Sequence, residues 1–164
     1  MRLKALTLVA GLGSLALAAP LAAQRGDDKI APKSVEFMHQ GEALLSAGKL
    51  EMADDALESA LAADPRNRWA FTDLGRVAER QHLFGKAIRM TNKALLLEPN
   101  DPDAIAVQGE AMVELGATAR AQANLQKLQT ICKGGCPQVA QLLAAISRGP
   151  TVAAAKAPEG PKSN

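Results

Sequence analysis

The side chains best suited to covalent chemistry are Cys132 and Cys136, separated by Lys133-Gly134-Gly135. Thiols this close can join in a disulfide, cycle as a redox pair, or supply two ligands to a metal. The spacing lacks the two-residue interval of oxidoreductase motifs, and no thioredoxin-like strand pattern accompanies it. A metal needs two further ligands, and neither His39 nor His82 lies nearby in the chain. His39 with Glu42 could make a base and its orienting carboxylate, but a base needs a nucleophile to serve. No nucleophile elbow, phosphate loop or paired-histidine metal motif occurs in the 164 residues. The residues therefore read as non-catalytic, with no cofactor and no metal, and a structural disulfide is the favoured use of the two sulfurs.

The first residues set the compartment. Arg2 and Lys4 precede an uncharged apolar stretch of Ala, Leu, Val, Gly, Ser and Thr, followed by small residues at Ala16, Ala18, Ala19, Ala22 and Ala23. This order matches a secretory signal peptide over 1–23, cut after Ala18 or Ala23. The apolar stretch falls short of the ~20 residues that cross a bilayer, so no stable membrane insertion is expected after cleavage. An exported, periplasmic protein is the expectation, with secretion as the alternative, and an oxidising compartment suits a bonded Cys132–Cys136 pair. Removing Arg2 and Lys4 leaves 17 basic residues against 17 acidic ones. No basic surplus remains to neutralise phosphates, which argues against nucleic acid.

What must position these residues is a repeat. Gly41, Gly75 and Gly109 are 34 residues apart, as are Phe37, Phe71 and Ile105, and again Ala53, Ala87 and Ala121. Ala60 with Ala94, and Pro65 with Pro99, keep the same offset. Helix formers dominate and strand formers are scarce, so each unit reads as two antiparallel helices. Glycine and alanine at matched positions let neighbouring helices approach closely, while Leu44, Leu50 and Leu57 fill the space between. Gly48 and Gly116 suit a left-handed turn after first helices, and the same slot holds His82 in the second unit. Asp64-Pro65 and Glu98-Pro99 end second helices. A unit of 34 residues with this pattern of bulky, small and proline positions resembles the tetratricopeptide repeat. The repeats run 34–67, 68–101 and 102–135, and the third is the least regular: Leu128 replaces a small residue, Thr118 an apolar one and Lys133 a proline.

The expected fold is an all-α solenoid of three such pairs over 34–148, after a flexible lead-in at 24–33. A seventh, capping helix at 137–148 would bury Val139, Leu142, Leu143 and Ile146 and turn Gln138, Gln141, Ser147 and Arg148 to water. The tail 149–164 has no core face and reads as disordered.

The resemblance also implies where a partner sits. First helices line the concave side of such arrays, facing it with the second, fifth, ninth and twelfth positions of each repeat. Those positions are Val35, Met38, Glu42 and Leu45; Trp69, Thr72, Arg76 and Glu79; and Asp103, Ala106, Glu110 and Val113. Trp69 and Arg76 belong to the residue types that anchor interfaces, so apolar contact plus one positive charge is expected. Trp69 could instead pack against the turn after Pro65. Members that clamp a terminal carboxylate use Lys and Asn, whereas Met38 and Glu42 stand at the matching positions here, which argues against that ligand. The implied function is a scaffold or adaptor of the bacterial envelope holding a protein or peptide, possible also as a homodimer through the open N-terminal face. A thiol-dependent accessory factor using Cys132 and Cys136, and a purely structural subunit of a larger assembly, are the alternatives. Charge is uneven: 34–67 carries −5 and 68–101 carries +2, so Asp54, Asp55 and Glu58 could pair with Lys86, Arg89 and Lys93 of the next unit.

Overall fold

A computed structural model describes residues 29–133 and 135–151; the leader, residues 24–28 of the lead-in, and 152–164 of the tail lie outside the described residues. Within them the chain forms seven helices: α1 Pro32–Ser46, α2 Leu50–Ala63, α3 Arg68–Arg80, α4 Phe84–Leu97, α5 Pro102–Glu114, α6 Thr118–Ile131 and α7 Pro137–Arg148. Proline occupies the first turn of α1, α5 and α7, where its missing N–H is no loss. Asn67 caps α3 by accepting from Ala70 N–H, and Asp101 caps α5 by accepting from Asp103 and Ala104 N–H.

All three first helices end in one way. Lys49 N–H donates to Leu44 C=O, Leu83 to Ala78 and Ala117 to Met112, at 2.7–3.0 Å. The residue before each donor is left-handed, with φ of 73° at Gly48 and Gly116 and 58° at His82. These closures satisfy carbonyls that a helix end leaves open and turn the chain back on itself. The histidine adopts a conformation that glycine takes at no steric cost.

Consecutive helices pack throughout, and α1 with α3, α3 with α5, and α5 with α7 also pack directly. No packing of comparable extent joins α2 to α4 or α4 to α6. The odd-numbered helices therefore stand closer together than the even-numbered ones, which curves the stack with the odd row inside. Glycine permits close approach, chiefly within each helix pair. A Cβ on Gly41 would lie 2.6 Å from Leu57 Cγ of α2, and one on Gly75 2.8 Å from Thr91 Cγ2 of α4 and 3.3 Å from Val107 Cγ1 of α5. At Gly109 the contact is with α7 rather than α6: a Cβ there would sit 2.7 Å from both Leu142 methyls. Ala53, Ala60, Ala87, Ala94 and Ala121 are wholly buried, together with Leu57, Leu128 and Leu142. Leu128 fills the space that alanine leaves small in the first two repeats.

Cap residues also tie the start of one first helix to the start of the next. Asn67 Nδ2 donates to Ser34 Oγ at 2.9 Å, and Ser34 Oγ donates to Ala60 C=O at 2.7 Å, all out of contact with water. One repeat later Asp101 uses its second oxygen to accept from Arg68 Nε at 3.3 Å. Asp64 reaches back to Ala31 N–H at 3.0 Å and fixes the start of α1. On the outer row Lys86 meets Asp54 at 2.7 Å, one of the inter-repeat pairs the charge pattern suggests.

Helix α7 closes the far end as expected, with corrections. Leu142 and Ala145 are buried and Val139 and Ile146 pack beside them, but Leu143 is 49% exposed. The face carrying Gln138 and Gln141 does not simply meet water, because it turns toward α5, as described below. Gly149 has φ of 74° and stops the helix, and Thr151 is held by its N–H and hydroxyl on Glu114 Oε2, at 2.8 and 2.9 Å. The first tail residues are thus fixed rather than loose. Cys132 and Cys136 are at disulfide distance, with Cα atoms 5.6 Å apart, and join the end of α6 to the start of α7. No described helix is long and apolar enough to cross a membrane, and no metal-binding cluster occurs among the described residues.

Candidate ligand groove

The odd row brings the twelve implied positions onto one side of the stack, but not as one accessible surface. Met38, Leu45, Thr72, Ala106 and Val113 are buried. Covered by neighbouring helices, these side chains support the groove more than they line it. Val35, Glu42, Trp69, Arg76, Glu79, Asp103 and Glu110 keep partial or full exposure.

At the α1–α3 end, Val35, Met38, His39, Glu42 and Trp69 enclose an open recess of ≈470 Å³. Trp69 is 40% exposed, and the Arg68 guanidinium lies 3.8 Å from its ring centroid. The cation on one face holds the indole in place and leaves another part of the ring facing the recess. His39 Nδ1 meets Glu42 Oε2 at 2.9 Å on the rim.

Arg76 is already occupied. It donates to Asp73 Oδ1 and, at 2.7 Å, to Asp103 Oδ1, which also accepts from Gln138 Nε2 at 3.1 Å. Asp73 is buried, which pushes its carboxyl up, while the Arg76 charge pulls it back. The positive charge expected to face a partner thus also serves an internal bridge linking α3, α5 and α7.

Beyond that bridge lies a second recess, of ≈200 Å³, lined among others by Glu79, Arg80, Glu110, Glu114, Arg148 and Thr151. Burial, and then the neighbouring Glu110 charge, raise the Glu79 carboxyl to about 8, with Arg76 opposing and Glu114 adding to the rise. Glu110 is also pushed up by burial, against a hydrogen bond from Gln141 and the charges of Arg148 and Arg76. Its Oε1 is buried without a hydrogen-bond partner. Two buried carboxyls side by side resist double ionisation. Gln138, Gln141, Glu114 and Arg148 were not among the implied groove positions. The repeat register stops at residue 135, so nothing in the 34-residue spacing places α7 as a fourth inner helix.

No protein-family model matches the chain. A 72-residue stretch is 38% identical to part of the cellulose synthase 2 operon protein C of Komagataeibacter xylinus. That stretch is 43% of this chain but 5% of the relative, so the chain spans only a small part of the relative's length. Among solved structures, the Sgt2 tetratricopeptide domain from Aspergillus fumigatus superposes with a TM-score of 0.67, covering 85% of this chain and 92% of that one at 19% identity. The first such domain of Spaghetti, bound to the HSP90 peptide SRMEEVD, gives 0.65 over 71% of this chain and 91% of its own, at 22% identity. The TPR2B domain of yeast Sti1, in complex with a pHsp70 ligand, gives 0.65 over 71% and 97%, at 20% identity. Three helix pairs and a seventh helix, closed by recurring glycines, therefore have the fold of a tetratricopeptide-repeat domain.

Proposed function

We propose that this chain is a non-catalytic interaction module of the bacterial envelope, holding a peptide or protein segment along its odd-numbered helices. The observation that carries the reading is the part-exposed Trp69, fixed by Arg68 at the edge of an open recess beside Val35 and Met38. A rigid aromatic surface that remains wet in the free protein is the kind of group a partner desolvates. Domains of the same fold have been solved with HSP90 and HSP70 peptides bound, and they supply precedent for the use but not for the ligand. Export to the periplasm is part of the proposal, supported by the leader-like residues 1–23 and by a cysteine pair suited to an oxidising compartment.

The test is site-specific photo-crosslinking in intact cells. A photoreactive residue at position 35 or 69 is expected to trap a partner, and Trp69→Ala in the position-35 variant is expected to abolish the adduct. A control at Leu96, which is 83% exposed on outer helix α4, is expected to trap nothing specific. Adducts formed from position 96 alone would refute the assignment to the odd row.

A further inference from the structure

We propose that the segment held in this groove is cationic, with an apolar side chain in the Trp69 recess and a lysine or arginine on the carboxyls of Glu79 and Glu110. The proposal rests on the docking reading above and names the partner chemistry. Complementary charge is the argument. The apolar recess has Glu42 on its rim, and the second recess is built on Glu79, Glu110 and Glu114. The cations near them have other duties. Arg76 is shared by Asp73 and Asp103, and Arg80 donates to Leu45 C=O at 2.7 Å. Arg148 faces Glu110, and His82 lines the same recess. Glu110 Oε1 remains buried without a donor, and an incoming ammonium or guanidinium would supply one. A carboxylate from a partner would bring no donor to Glu110 Oε1.

The geometry adds a spacing. Trp69 and Glu79 are ten residues apart on α3, roughly 15 Å at helical rise. An extended peptide covers that span in about four or five residues. The cation also settles the protonation of the site. A Glu79 carboxyl held near 8 by burial and by Glu110 is largely protonated at neutral pH, and a bound cation favours its ionised form. Binding near pH 7 therefore releases protons.

The experiment uses the chain from residue 24 to its end, screened against a library of dodecapeptides randomised at every position, followed by titration calorimetry with a selected peptide. The expected result is enrichment of peptides with an apolar residue four or five positions from Lys or Arg. Affinity should fall roughly tenfold or more in Glu79→Gln/Glu110→Gln, the range of a charge-assisted hydrogen bond, and fall again as salt rises. Both substitutions are near-isosteric, and a single cooperative transition with a midpoint no lower than wild type certifies the fold. Titrations in buffers of different ionisation enthalpy should show proton release. Neutral or acidic peptides that depend on Trp69, or cationic ones indifferent to the two Gln substitutions, would overturn the cation inference and leave the docking reading standing. No enrichment, or binding unaffected by Trp69→Ala as well, would overturn both.

Discussion

Glu79→Gln should stabilise the fold, and by an amount that depends on pH in a stated way. The carboxyl titrates at about 8 in the folded chain against 4.5 for an unperturbed glutamate. Below about pH 4 it is protonated in both states, so glutamine in its place changes little. Between the two values the unfolded chain ionises while the fold keeps its proton, and wild-type stability falls as pH rises. Above about 8 both states are ionised and the loss levels off. At about 1.4 kcal/mol per pH unit, the gap sets a ceiling near 5 kcal/mol, of which about 3 is reached at pH 7. One effect trims this figure: above pH 8, where Glu79 is ionised, its replacement costs Arg76 one attraction, although Arg76 keeps Asp73 and Asp103. A net gain of about 2–3 kcal/mol at pH 7 is therefore expected, growing toward pH 9 and vanishing near pH 4. Urea unfolding of both proteins at pH 4, 7 and 9 measures it. A variant equally stable to wild type at pH 9, or less stable there than at pH 4 by comparison, would show that the site is wetter than its geometry implies.

Other substitutions probe the packing. Gly41→Ala gains roughly 1 kcal/mol of helix propensity but drives its methyl into Leu57, so a net loss of about 1–2 kcal/mol is expected in urea unfolding. Combining it with Leu57→Ala should cost less than the two changes summed. Asn67→Ala should cost about 2 kcal/mol or more, because it removes the α3 cap and the donor on which the buried Ser34 oxygen depends; Asn67→Asp should keep the cap yet still destabilise. His82→Gly should raise stability by about 0.5–1 kcal/mol by relieving the left-handed backbone, less a small loss of the edge contact with Phe84. Reducing Cys132–Cys136 should cost about 2 kcal/mol or less, seen as faster amide exchange in α7 with α1–α4 unchanged.

The helices were legible because their constraints repeat. Gly41 and Gly75 announce a close approach, Gly48 and Gly116 a left-handed turn, and Pro65 and Pro99 the end of a second helix, each through a property of one residue type. The groove was legible only in outline. Position within a repeat identifies which residues share the inner row, but not which of them the next helix covers, so Met38 and Val113 looked as available as Val35. Nor does a 34-residue period reveal that Glu79 and Glu110, 31 residues apart, share one recess, or that Asp103 answers Arg76. Those meetings depend on helix rotation and on α7, whose Gln138 and Gln141 fall outside the repeating pattern.

The first two repeats are each clasped at the same pair of positions with different chemistry. Ser34 meets Asn67 through neutral hydrogen bonds, while Arg68 meets Asp101 through opposite charges. Each clasp joins the first residue of a repeat to its last, so exchanging whole repeats would carry both clasps along intact. Splicing the front half of one repeat to the back half of the other would instead set an aspartate against a dry hydroxyl or an asparagine against a guanidinium. A chimera cut inside a repeat would therefore assemble less well than one cut at its boundary.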